Sequence, residues 1–170
     1  MNYKVEADTI RALGKIAANG HVVKGYKPVY WSVVGGSALA EAEVEYQDKT
    51  SYSIDVAYQV GDTQQLEKIS AAFAGLPGEG DINILIWTTT PWTIPSSQAI
   101  SVGAELDYVL VQIAGEKGPL RLICAQALLE SVVQRLGVED CQQLATCKGQ
   151  ALENVVARHP FYDRDIPVLL

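Results

Sequence analysis

The chain has 170 residues, 48% of them hydrophobic, which is enough to bury one sizeable core at the usual size of a single domain. Twenty acidic against 13 basic side chains leave a formal net charge of −7, so no bulk field draws in nucleic acid, and any RNA contact has to be local or made by another molecule. The start Met1-Asn2-Tyr3-Lys4 has no signal-peptide pattern, no stretch approaches the roughly eighteen apolar residues that span a bilayer, and three cysteines without a Cys-x-x-Cys pair fit a reducing, cytoplasmic setting with no metal and no cofactor.

From Glu6 to Ala18, Ile10, Leu13, Ile16 and Ala17 fall at helical spacing, and Asn19-Gly20 supplies the stop. Pro28 to Trp31 reads as extended and Val33 to Ser37 as a loop. Ala38 to Tyr46 alternates apolar residues with Glu41, Glu43 and Glu45, and Ser51 to Val60 alternates again, so the two read as a hairpin turning at Gln47 to Thr50. The alternating carboxylates read as a solvated strand face rather than an acid-base or metal cluster. Gln64 to Phe73 reads as a short helix closed by the turn-rich Gly75 to Gly80, and Ile82 to Trp87 as a strand buried on both faces. Tyr108 to Ile113 and Leu120 to Cys124 flank a turn at Ala114 to Gly118 and form a second hairpin, followed by a helix from Ala125 that closes at Gly137. Short strands and few helices without regular β-α-β alternation predict an α+β domain on a curled or barrel-like, mostly antiparallel sheet with peripheral helices, one domain over residues 1 to 170.

The segment Trp87-Thr88-Thr89-Thr90-Pro91-Trp92-Thr93-Ile94-Pro95-Ser96-Ser97 follows the most apolar strand. Its four threonines and two serines are stiffened by two prolines that fix φ and remove amide donors. Rigid hydroxyls can hold a ribose, an ester carbonyl and a water without supplying charge. The same residues also suit a strand end and turn whose threonines cap neighbouring backbone. His21 and His159 stand in no Gly-x-Ser-x-Gly or Cys-His setting, and no Gly-rich phosphate loop is present.

This turn resembles the threonine-rich motif of the isoleucyl-tRNA synthetases, Trp-Thr-Thr-Thr-Pro-Trp-Thr-(Leu/Ile)-Pro, over nine consecutive positions from Trp87 to Pro95. Thr90 and Trp92 favour the isoleucyl branch over the valyl and leucyl enzymes, whose form is Thr-Thr-Arg-Pro. Lys27 to Ser32, Ser37 to Tyr46 and His159-Pro160-Phe161 are similar to that family in the same order. The resemblance implies the inserted connective peptide 1 (CP1) domain, with the fold of the valyl, isoleucyl and leucyl editing domains, which removes valine wrongly esterified to isoleucine tRNA. One methylene is worth only ~1–3 kcal/mol in an apolar pocket, so a second sieve is needed. It implies that Thr88, Thr89 and Thr90 carry the hydrolysis, that Trp87, Trp92, Thr93 and Ser97 bind substrate, and that the partners are the misacylated tRNA 3′ end and the rest of the synthetase, with no membrane.

Ser97 stands where the motif usually has Asn. Ser32 and Gly35 stand where some members carry a Cys-x-x-Cys, so no zinc is expected there. The family's later Gly-Thr-Gly stretch, which carries the acid that holds the substrate amino group, and the ATP-binding signatures are not in these 170 residues. The implied expectation is an editing segment that cannot aminoacylate and is weak or inactive alone. The alternatives are a non-catalytic binding module that keeps the fold, and a deacylase acting in trans.

Overall fold

The computed structural model describes residues 2–115 and 118–170, so the tip of the turn expected at Ala114 to Gly118 lies partly outside the described residues. The chain divides into two compact units, Met1–Lys49 and Thr50–Leu170.

In the first unit, α1 (Tyr3–Ala18) begins earlier than its apolar spacing predicts because Asn2 caps it, its side chain accepting from Lys4 N–H at 3.0 Å. Gly20, at φ 78°, ends it, with N–H groups of Gly20 and His21 returning to the carbonyls of Ala17 and Ile16. A short antiparallel hairpin follows, β1 (Tyr30–Ser32) with β2 (Ser37–Leu39), its turn tied by Gly35 N–H donating to Ser32 Oγ. Of the strand expected over Ala38 to Tyr46 only Ala38 and Leu39 form one, as the end of β2, and the rest is not strand. Instead Glu41–Glu43 makes a 3-10 turn in which the Glu43 carboxylate accepts from Ala40 N–H at 2.8 Å. Alanine and glutamate are poor strand formers, and a carboxylate reaching back to the residue that starts a helical turn satisfies locally what a ladder would otherwise supply. The hairpin expected between this segment and Ser51 to Val60 is therefore absent, and the glutamates are exposed.

In the second unit, β3 (Ile54–Val60) pairs antiparallel with β4 (Asp81–Thr88), with Ile54 opposite Thr88 and Val60 opposite Ile82. Between them lies α2 (Thr63–Ala72), capped by Asp62, whose carboxylate accepts from Gln65 N–H. After β5 (Ile100–Ser101) come β6 (Asp107–Gly115) and β7 (Gly118–Ala125), an antiparallel pair, then α3 (Leu129–Leu136) and β8 (Cys141–Lys148). A 3-10 turn at Gln126–Leu128 precedes α3, so the helix starts later than expected; it ends at Gly137 in the left-handed region. Last are β9 (Val156–Arg158) and β10 (Asp165–Leu169).

The strands form an open five-stranded sheet in the order β3-β4-β7-β6-β8 and a three-stranded sheet in the order β5-β10-β9. No barrel closes among the described residues. The large sheet is antiparallel except at β4 and β7, and β5 and β10 are also parallel. Consecutive buried residues on β6 and β7 separate by face: Leu110 and Ile123 join the core of Tyr58, Ile69, Ile84 and Val168, while Val109, Val111, Leu122 and Cys124 pack on the other side with Leu85 and Leu129. Burial on both faces explains their unbroken apolar runs.

Arg121 on β7 donates from Nε and Nη2 to the Gly80 carbonyl, holding the loop before β4. Gly80 has φ 89° and its Cβ position lies against the Pro119 carbonyl, so only glycine fits there. This staple aims β4 at the threonine turn.

Candidate functional site

β4 carries the chain out of the core and delivers Thr88 to the end of the sheet. The backbone then turns through a 3-10 helix at Pro91–Ser96, opened by Pro91 in the position where a missing amide costs least. Thr90 N–H donates to Thr88 Oγ1 at 3.0 Å, and the two hydroxyls lie 3.2 Å apart. Thr93 Oγ1 donates to the Thr90 carbonyl at 2.8 Å. Tyr58 OH donates to Ser97 Oγ at 3.2 Å, leaving the Ser97 hydroxyl hydrogen without an acceptor among the described residues. The capping reading holds for Thr88 and Thr93, and each cap leaves part of a hydroxyl available.

A concavity of about 260 Å³ opens beside the turn, lined by Tyr58, Trp87, Thr88, Thr93, Ser97 and Ser101 over an apolar floor of Ile86 and Ile100. Of the residues singled out from sequence, Trp87, Thr88, Thr93 and Ser97 come together there. Thr89, Thr90 and Trp92 do not line it: Thr89 and Thr90 are exposed at its edge, and Trp92 is 70% exposed. Among the described residues no Asp, Glu, Lys, Arg or His lines this space, so its lining offers neutral hydroxyls and no acid-base pair.

Larger concavities of about 630 and 570 Å³ lie at the other end of the sheet, beside Gly115 and Gly118. They border the residues outside the description and reach β4 only at its start, Asp81, so they are separate from the threonines by the length of that strand.

Two features of the site were not read from the sequence. The first is an ion pair under Trp87. Asp55, opposite Trp87 in the β3–β4 register, accepts from Arg135 Nε at 2.9 Å and Nη2 at 2.7 Å, which ties α3 to β3 and favours the charged guanidinium. They flank a neighbouring cavity of about 220 Å³ that shares Ile86, Trp87, Ile100 and Ser101 with the threonine site. The second is His159, which is buried and whose Nε2 lies 2.9 Å from the Ile94 carbonyl, an acceptor. His159-Pro160-Phe161 was legible only as part of the family resemblance, and neither contact had a local signal, because the partners are 80 and 65 residues apart in the chain.

Cys124 and Cys147 are buried in the two cores, and burial is the main reason their thiols are pushed up to about 11. Among the described residues no group of three or more His, Cys, Asp or Glu could hold a metal ion, and no helix is long and apolar enough to cross a membrane.

A family model described as tRNA synthetases class I (I, L, M and V) matches residues 1–142. The chain belongs to the class I tRNA synthetases. It aligns over all 170 residues with isoleucine–tRNA ligases, at 59% identity with that of Teredinibacter turnerae and 60% with that of Hahella chejuensis. The chain spans 18% of the length of each of these relatives. Among solved structures it is similar to one described as the crystal structure of GlLeuRS-CP1, with a TM-score of 0.56 and 16% identity, covering 69% of this chain and 48% of that one. At that identity the likeness shows the fold alone. The resemblance read from Trp87 to Pro95 is borne out in the class I synthetase family and in the likeness to isoleucine–tRNA ligases, and the mixed α+β architecture in a CP1-like fold.

Proposed function

We propose that the threonine turn is the substrate-facing wall of an editing site that hydrolyses valine from wrongly charged isoleucine tRNA. The observation that carries this reading is the meeting of Thr88, Thr93 and Ser97 at one small, partly apolar concavity within a CP1-like fold. The apolar floor of Ile86 and Ile100 suits a short aliphatic side chain, and the hydroxyls suit the ribose and ester. Thr89 and Thr90, at the edge, take the ribose of the terminal adenosine and order the attacking water. Trp87 and Trp92 flank the entrance as apolar surfaces. The partners are the misacylated 3′ end and the remainder of a synthetase, and all 170 residues belong to one inserted domain in a cytoplasmic enzyme.

Small size selects here: isoleucine differs from valine by one methylene, worth ~1–3 kcal/mol, so a space that admits valine and crowds isoleucine supplies the second sieve. The test is a titration of the chain with adenosine carrying valine through a non-hydrolysable amide, followed by amide chemical shifts. The proposal expects shifts at Thr88, Thr93 and Ser97 and weaker binding of the isoleucine analogue. Shifts confined to the Gly115 and Gly118 end, or equal affinity for both analogues, would contradict it.

A further inference from the structure

The 3-10 turn that presents the hydroxyls has bonds of its own, Thr93 N–H to the Thr90 carbonyl and Ser97 N–H to the Ile94 carbonyl, and further support comes from outside it. Pro91 and Pro95 lack amide hydrogens, and of the turn's carbonyls Ile94, Pro95 and Ser97 point away from the threonines toward one loop, that between β9 and β10. That loop is closed by His159 N–H donating to the Arg164 carbonyl at 2.9 Å and by Arg164 N–H donating to the Tyr162 carbonyl at 2.8 Å.

His159 sits inside it, 5% exposed, between the rings of Tyr58, Phe161 and Tyr162 at centroid distances of 6.3, 5.8 and 5.0 Å. Its Nδ1 faces two backbone donors, Phe161 N–H at 3.1 Å and Tyr162 N–H at 3.2 Å. A nitrogen that accepts from two N–H groups carries no hydrogen of its own. The hydrogen of the neutral ring is therefore on Nε2, where it donates to the Ile94 carbonyl at 2.9 Å. From the same loop, Arg164 Nη2 donates to the Pro95 carbonyl at 3.1 Å and the Ser97 carbonyl at 2.7 Å.

We propose that His159, as the Nε2–H tautomer, and Arg164 are positioning residues that clamp the carbonyl side of the threonine turn so that Thr88, Thr93 and Ser97 face the cavity. The clamp deepens the editing reading and rests on it for its role in hydrolysis, but its geometry stands apart from that reading. Neither residue lines the cavity. They act through the backbone of residues 94 to 97, and a displacement of about 1 Å in positioned groups costs ~100-fold in rate.

Two side-chain amides separate the two functions of the ring. In His159→Gln the amide nitrogen reaches the place of Nε2 and keeps the donor to Ile94. In His159→Asn the amide oxygen takes the place of Nδ1, keeping the loop contacts and dropping that donor. Arg164 is exposed, so Arg164→Lys, whose ammonium ends one atom short of the place of Nη2 and so reaches the two carbonyls less well, carries little folding risk.

The experiment has two arms. In the first, ring nitrogen shifts of the 170-residue chain report the His159 tautomer, and amide hydrogen exchange reports Thr93 and Ser97 in each variant. In the second, the Teredinibacter turnerae ligase carries this chain in place of its own matching segment, and hydrolysis of valyl-tRNA for isoleucine is measured as kcat and KM.

The clamp predicts hydrogen on Nε2, faster exchange at Ser97 in His159→Asn and Arg164→Lys, and a kcat for His159→Asn ~100-fold below that of the unsubstituted protein with KM little changed. It further predicts that His159→Gln recovers most of that loss although its loop is no better packed. Hydrogen on Nδ1, or equal exchange and equal kcat in the two amide variants, overturns the clamp. If the clamp signals appear but the unsubstituted protein does not hydrolyse valyl-tRNA, the editing reading fails and the clamp as a structural device stands, while its catalytic role is overturned.

Discussion

Thr88 illustrates how much one hydroxyl is asked to do. It accepts the Thr90 amide, lies 3.2 Å from the Thr90 hydroxyl and lines the cavity, so it both shapes the turn and faces the cavity proposed to take substrate. Ser97 is in the same position, accepting from Tyr58 while its own hydrogen remains to be given. The motif's usual Asn would bring two donors to this place, whereas Ser97 brings one, its oxygen held by Tyr58.

The cysteines behave differently. Burial raises Cys124 and Cys147 to about 11, against an ordinary 9.0. Between those values the unfolded chain holds fewer protons than the folded one, so the stability that the protonated thiols supply is complete below pH 9 and is lost as pH rises toward about 11. Thermal melts at about pH 8 and about pH 10 should show the fall, and Cys124→Ala with Cys147→Ala should flatten it. An equal fall in that double variant would assign the pH dependence to other groups.

At the scale of elements, α2 meets the small sheet through the apolar Ile69 and through one buried polar side chain. Gln65 is 6% exposed and its Oε1 accepts from Val156 N–H at 2.9 Å, at the start of β9. Gln65→Leu keeps the volume and strands that amide, which should cost about 1–3 kcal/mol in urea unfolding. No loss of stability would mean that water or a shifted β9 satisfies the donor.

The elements best foreseen from sequence were those whose burial is continuous. β4 shows its place through Ile82, Ile84, Leu85 and Ile86, and the β6–β7 hairpin through runs that are buried on both faces. β8 gave no such sign, because a bulge opposite Leu110 and Val111 breaks its alternation and its Gln142 and Gln143 are exposed. β9 and β10 are too short for periodicity and are set by pairing with each other and with β5. At Ala38 to Tyr46 the alternation was real but lacked strand-forming residues, and local hydrogen bonding by Glu43 prevailed. The threonine turn was legible from its composition and its nine-position match. What shapes it was not: His159, Arg164, Asp55 and Arg135 act across long separations in the chain, and none belongs to the local motif.

For the molecule as a whole, a net charge of −7 and a cavity without a carboxylate or a cation place the chemistry on geometry. The large sheet aims β4, the Arg121 staple fixes where that strand begins, and the small sheet with its loop holds the far side of the turn. A net charge of −7 supplies no long-range attraction for a nucleic acid. The central claim is that hydroxyls of the threonine turn carry out removal of valine. It is tested most directly by single-turnover hydrolysis of valyl-tRNA for isoleucine, in the Teredinibacter turnerae ligase carrying this chain in place of its matching segment. Thr88→Ala, Thr89→Ala and Thr90→Ala combined should slow the reaction ~100-fold or more relative to the unsubstituted segment. Equal rates would contradict the account.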